Sequence, residues 1–124
     1  MIGYVMLGTN DIVKARTLWD PIAEMLSARV VPAYTTESRV WYGSAPGAPL
    51  LCITGPHNGE PATAGNGTMI AIPVTDTNLC HTIHAKALEL GATTEGEPGP
   101  RGPGFYGSYF RDFDGNKICI FKAD

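Results

Sequence analysis

The chain is short of charge. Lys and Arg number 9 and Asp and Glu 12, together 17% of 124 residues, where about 25% is usual for soluble domains. No stretch concentrates Lys or Arg, so a phosphate-tracking surface is lacking and nucleic acid is excluded as a partner. No run reaches 18 uninterrupted apolar residues, which excludes a membrane-spanning helix and, with it, a membrane partner. Cysteine is scarce as well. Cys52, Cys80 and Cys119 lie far apart without a CxxC spacing, so neither a disulfide framework nor a zinc knuckle is encoded. The opening MIGYVMLGTND has no basic region ahead of an apolar core, so the expectation is an unexported chain with reduced thiols in the cytoplasm.

What is abundant is turn chemistry. The chain has 15 Gly and 10 Pro, about a fifth of its residues against a background of roughly 12%. Since 44% of the residues are hydrophobic, there is ample apolar surface to bury and the excess does not signal disorder. Its position is more informative. Residues 43–67 hold six Gly and four Pro, and residues 91–107 hold six Gly and three Pro. Each block follows a helix-like segment and is interleaved with strand-like pieces.

The first helix is expected over residues 11–28, where Val13, Leu18, Trp19, Ile22, Met25 and Leu26 approximate an amphipathic stripe. Asn10 or Asp11 serves as its N-cap. Pro21 interrupts it, so Asp20 caps a second helical piece or the helix kinks. The second helix is expected over 77–90, with Leu79, Ile83, Ala87 and Leu90 on one side and Gly91 as terminator. Strands are expected over 2–9 and 68–74 before the helices. After them come 28–35, 38–44 and 50–54 in the first half, and 93–95, 107–111 and 117–122 in the second. The pattern is βαβββ, twice. Asp11 and Asp76, 65 residues apart, each close a strand and open a helix, as an internal duplication requires. The fold class is α+β: two tandem modules, about 1–62 and 63–124 of one domain, whose curved, partly open mixed sheet surrounds a pocket with helices outside.

Alternation along the strands separates two faces. Val5, Leu7, Leu51, Ile53, Ile70, Ile72, Val74, Ile118 and Ile120 are all aliphatic and suit packing beneath the helices. The opposite set includes Tyr4, Met6, Cys52, Met69, Lys117, Cys119 and Phe121, a mixture of phenol, thiol, thioether and ammonium suited to a ligand cavity. Trp41, Tyr42, Tyr106 and Tyr109 are expected to add hydrogen-bonding rims to it.

The segment Phe110-Arg111-Asp112-Phe113-Asp114-Gly115-Asn116-Lys117-Ile118-Cys119, at the end of two βαβββ modules, resembles the vicinal-oxygen-chelate superfamily, which includes glyoxalases, bleomycin-resistance proteins and extradiol dioxygenases. Asp112 to Asn116 is similar to the D-P-D-G-N turn of that superfamily, with Phe113 in place of proline. The resemblance implies a homodimer. It also implies divalent-metal ligands on the first and last strand of each module, at Tyr4, Cys52, Met69 and Cys119. None of these is His, Glu or Gln, so no cofactor is expected; a divalent metal is left open only without its usual ligands, and a soft ion such as Cu(I) is a further alternative for two thiols and a thioether.

The functional expectation is recognition of a small organic molecule without the usual catalytic metal. Tyr4, Trp41 and Tyr106 stack on the ligand, Cys52 and Met69 line the cavity, and Arg101 and Lys117 meet anionic groups. Arg101 sits in a loop, 99–107, read as the mobile rim. The alternative is a glyoxalase- or dioxygenase-like enzyme with an atypical metal site or with Cys119 as nucleophile, its thiol acidified by Lys117. His57 is a loop imidazole available as general base, whereas His81 and His84, three apart on the second helix, read as structural or surface residues.

Overall fold

The computed structural model describes all 124 residues. In chain order they form β1 (Tyr4–Gly8), α1 (Ile12–Met25), β2 (Arg29–Val30), β3 (Arg39–Gly43), β4 (Leu50–Thr54), β5 (Met69–Pro73), α2 (Thr77–Glu89), β6 (Thr93–Pro100), β7 (Phe105–Arg111) and β8 (Lys117–Ala123). The architecture is α+β, with two βαβββ modules. Two compact units result, Met1–Thr63 and Ala64–Asp124. Each contains a four-stranded mixed sheet, ordered β1-β4-β3-β2 in the first and β5-β8-β7-β6 in the second, and neither sheet closes. The outer pair β1 and β4 is parallel, as is β5 and β8, and the other neighbours are antiparallel.

The duplication extends to the helix ends. Asp11 and Asp76 are extended N-caps whose carboxylates accept from the backbone N–H of Lys14 and Leu79, each at 3.0 Å. At the other end, Ala28 N–H donates to the Ala23 carbonyl and Ala92 N–H to Ala87, the six-to-one bond of a Schellman cap. Gly91 provides the positive φ of 113° that this cap needs, and Ser27 adopts 59° in the equivalent place. A serine there gives no sequence signal, which is why the first helix was expected to run two residues past Leu26.

In the first unit, α1 packs on β2, β3 and β4 through Ala15, Leu18, Trp19, Ile22 and Ala23. Three expectations are corrected here. Pro21 lies inside one continuous helix and does not divide it. Its fixed φ suits a helix, and the lost N–H bond is offset by complete burial of Leu18 and Ile22 on either side. Asp20 is not a cap, because Arg16 donates to both its carboxylate oxygens and the Tyr42 hydroxyl donates at 2.5 Å. Val13 is exposed, and Ala15 takes its place in the buried stripe. Burial and the Asp20 carboxylate both raise the Tyr42 phenol well above its ordinary range. Tyr42→Phe is expected to lower unfolding free energy by about 1–2 kcal/mol in urea titration, since it strips one donor from a partly buried carboxylate; an unchanged midpoint would count against that role.

In the second unit, α2 packs on β6, β7 and β8, burying Cys80, Ile83, His84 and Ala87. The segment from Gly96 to Pro100 was expected to be loop, but it continues β6, paired with β7 through Gly96, Gly99 and Pro100 with two register shifts. The physical reason is position. β6 is an edge strand with β7 as its sole neighbour, so Pro98 and Pro100 break no second ladder. The expected mobile rim is therefore a hairpin, closed by Arg101 N–H donating to the Phe105 carbonyl at 2.9 Å.

The turn before β8 is built around Asp112, which is buried with Asn116. Its carboxylate accepts from the backbone N–H of Asp114 (3.0 Å) and Asn116 (2.9 Å) and from the Asn116 side-chain amide (3.0 Å). Gly115 takes φ 87° at the apex. Phe113 places its ring against Gly91 at the end of α2; a Cβ there would meet the ring at 3.0 Å.

Candidate functional site

Register fixes which side chains share a face. In the first unit Met6 pairs with Cys52 and Cys52 with Trp41, so these three form a row across β1, β4 and β3 on the side away from α1. Tyr4 lies on the same face and meets Trp41 edge-on, with ring centroids 5.1 Å apart and planes at 72°. Tyr34 contacts the same indole at 6.2 Å. Tyr4, Met6 and Tyr34 are exposed, whereas Trp41 and Cys52 beneath them are buried. Tyr42, being adjacent to Trp41, points to the opposite face and into the α1 contact, so it is no rim residue.

The second unit repeats the row as Ala71, Cys119 and Tyr109, continuing to Gly96 on the edge strand. Met69 and Lys117, a directly paired couple, and Phe121 share this face. Lys117 Nζ stands 5.6 Å from the Tyr109 ring centroid, and the Arg101 guanidinium carbon stands 5.4 Å from it. Tyr106 was expected here and is not. It pairs with Lys122 on the α2 side of the sheet, its hydroxyl 2.6 Å from His81 Nε2. There it borders an open cleft of about 440 Å³, together with Thr75, Thr77, Phe105, Lys122 and Asp124. His84 is buried, with Nε2 3.0 Å from the Thr94 hydroxyl, and His57 is an exposed loop residue.

Burial sets the electrostatics of the thiols. Cys119 is raised above the ordinary thiol range by desolvation, which outweighs the lowering effects of its hydrogen bond with Tyr109 and of Arg101 and Lys117. Cys52 is raised by burial against the opposing charge of Arg39. Both are protonated at neutral pH, the opposite of what a nucleophile or a thiolate ligand requires. No group of three or more His, Cys, Asp or Glu side chains is arranged to hold a metal ion. Within each unit, the positions that the resemblance assigns to metal offer a phenol and a protonated thiol, Tyr4 and Cys52, or a thioether and a protonated thiol, Met69 and Cys119. This donor chemistry does not fit a hard divalent ion.

Among solved structures, the chain is 34% identical to a glyoxalase/bleomycin resistance protein from Albidiferax ferrireducens T118, with 100% of this chain and 99% of that one covered and a TM-score of 0.89. The chain belongs to the glyoxalase/bleomycin resistance protein family. Two further members share its fold at lower identity. A glyoxalase/bleomycin resistance protein/dioxygenase family enzyme from Burkholderia phytofirmans PsJN is 16% identical, with 98% of each chain covered and a TM-score of 0.78. A glyoxalase-related enzyme from Fulvimarina pelagi is 14% identical, covering 98% of this chain and 87% of that one at a TM-score of 0.76. No family model matches the chain, and no curated protein does. Family membership agrees with the D-P-D-G-N-like turn and the paired modules from which the superfamily resemblance was drawn.

Two residues that matter most to the geometry of these faces, Tyr109 and Tyr34, are weakly marked in the sequence. Tyr109 is central to its face, whereas Tyr106, three residues away, is of opposite parity in a regular strand and shares no face with it. The tight turn supplied the missing register, because closing Asp112 on Asn116 forces Arg111 opposite Lys117 and Tyr109 opposite Cys119. Tyr34 lies in a turn and carries no periodic signal.

Proposed function

We propose that this family member recognises a small organic molecule and does so without a chain-held catalytic metal. The observation that carries this reading is the exposed aromatic platform of the first unit, where Tyr4 and Tyr34 flank the buried Trp41 with Met6 and Cys52 in the adjoining row. Large exposed aromatic and thioether groups cost solvation unless something covers them, and planar ligands cover them well. Arg101 and Lys117 supply positive charge on the second unit's sheet, beside Met69 and Cys119. The family resemblance extends the reading to a homodimer, the three scattered cysteines to the cytoplasm, and the missing His, Glu and Gln ligands to the absence of a cofactor. The alternative is a lyase or dioxygenase-type enzyme with an atypical metal site or with Cys119 as nucleophile, and the raised thiol opposes its nucleophile branch.

The test is a thermal-shift screen of chelator-treated protein against small aromatic metabolites, with each hit retested on Tyr4→Ala, which removes an exposed ring of the platform. The expected result is a hit whose binding survives chelation and weakens at least about tenfold in the variant, as loss of a stacking anchor predicts. Hits that need added divalent metal would contradict it. For the thiol, alkylation of the native protein by iodoacetamide at pH 7 is expected to proceed more than about tenfold slower at Cys119 than in unfolded chain. Equal rates would revive the nucleophile.

A further inference from the structure

Arg101 is held in place by two glycines. It leaves the β6–β7 hairpin and folds back over the edge strand, where its guanidinium donates to the carbonyls of Glu97 (2.6 Å) and Pro100 (3.2 Å). A Cβ on Gly96 would stand 3.2 Å from one terminal nitrogen and 3.0 Å from the Tyr109 ring, and a Cβ on Gly99 would stand 3.1 Å from the other nitrogen. Glycine at both positions is what admits the guanidinium to the ring.

The charge there is not neutralised. Lys86, Arg111 and Lys122 pair with Glu89, Glu95 and Asp124, but Arg101 and Lys117 have no carboxylate within ion-pair distance. Glu97 offers Arg101 its backbone carbonyl, and its carboxylate lies 3.9 Å from His84 Nδ1. Two cations thus stand beside the Tyr109 ring, with N–H donors to spare, since a guanidinium has five and two are used. Next to them on the same face lie the apolar groups of Met69, Ala71 and Phe121, the first two exposed.

From this juxtaposition we infer that the second unit's sheet binds a small organic acid, its carboxylate drawn to the Arg101 and Lys117 charges beside the Tyr109 ring and its apolar body over Met69, Ala71 and Phe121. The inference rests on the small-molecule reading above and names its chemical class. A carboxylate gains charge-assisted hydrogen bonds that a neutral amide of the same shape does not.

Phenylacetate and phenylacetamide, titrated separately into the full chain and followed by amide NMR, test it. Phenylacetate is expected to bind at least about tenfold tighter than the amide and to shift Ala71, Tyr109 and Cys119. Arg101→Met and Lys117→Met should each remove most of that preference, and Lys117→Arg should restore it. Gly96→Ala, whose Cβ would crowd the Tyr109 ring at 3.0 Å and the Arg101 guanidinium at 3.2 Å, should weaken phenylacetate with both cationic residues retained. Equal binding of the two compounds, or an acid preference that survives both Met variants, would overturn the inference. If phenylacetamide shifts Tyr4, Met6 and Trp41 while phenylacetate leaves the second unit unmoved, small-molecule recognition stands and the organic-acid assignment falls. No shift with either compound would defeat the assignment outright.

Discussion

Replacing Asp112 with alanine is expected to lower unfolding free energy by about 3 kcal/mol, because a buried carboxylate leaves three donors behind it. The backbone N–H groups of Asp114 and Asn116 and the Asn116 amide all converge on this side chain. Their loss would also loosen the reversal that sets β7 against β8, where Arg111 faces Lys117. Asp112→Asn should be milder. It keeps an oxygen for the two backbone donors but turns an amide NH₂ toward that of Asn116, so roughly half the loss is expected. Urea titration of both variants decides the matter, and a midpoint within error of the parent for Asp112→Ala would contradict the assignment.

Stability should also fall steeply at alkaline pH. Cys52, Cys80 and Cys119 are all raised above the ordinary thiol range, in each case chiefly by burial. The folded chain therefore keeps its thiol protons to higher pH than the unfolded chain does. Below the unfolded thiol value, about 8.5, both states are protonated and the stabilisation is complete. Above it the unfolded state sheds protons first, so stability drops as pH climbs toward the folded values, by up to about 1.4 kcal/mol per pH unit for each thiol and about 4 for the three together. The Tyr42 phenol, also raised, joins the decline above about pH 10. Under reducing conditions, urea midpoints measured between pH 7.5 and 10.5 should show this slope. Each single Cys→Ala variant should lose about a third of it. A flat profile over that range would contradict the picture of three desolvated thiols.

The duplicated plan was legible because it rests on patterns that short-range physics enforces. Both N-cap aspartates, the aliphatic parity of four strands and the Asp112 turn are local signals, and β4 falls at residues 50–54 as its pattern predicts. What escaped detection depends on neighbours. Pro21 is accommodated inside α1 by burial around it, and Pro98 and Pro100 by their place on an edge strand. Ser27 takes a glycine's conformation under the helix-end hydrogen bonds. The site was half readable. Tyr4, Trp41 and Cys52 share one face and Met69, Lys117 and Cys119 another, as alternation implied. Tyr42 and Tyr106 went to the helices instead, because hydroxyl partners on α1 and α2 await them there.

Small-molecule recognition by the sheet faces without a chain-held metal is tested most directly by an amide NMR titration of chelator-treated protein with the strongest thermal-shift ligand. The account predicts saturable shifts on β1, β3 and β4 around Tyr4 and Trp41, or on β5, β7 and β8 around Tyr109, unchanged by chelator. Binding that appears only after a divalent metal is added, or shifts confined to the outward surfaces of α1 and α2, would contradict it.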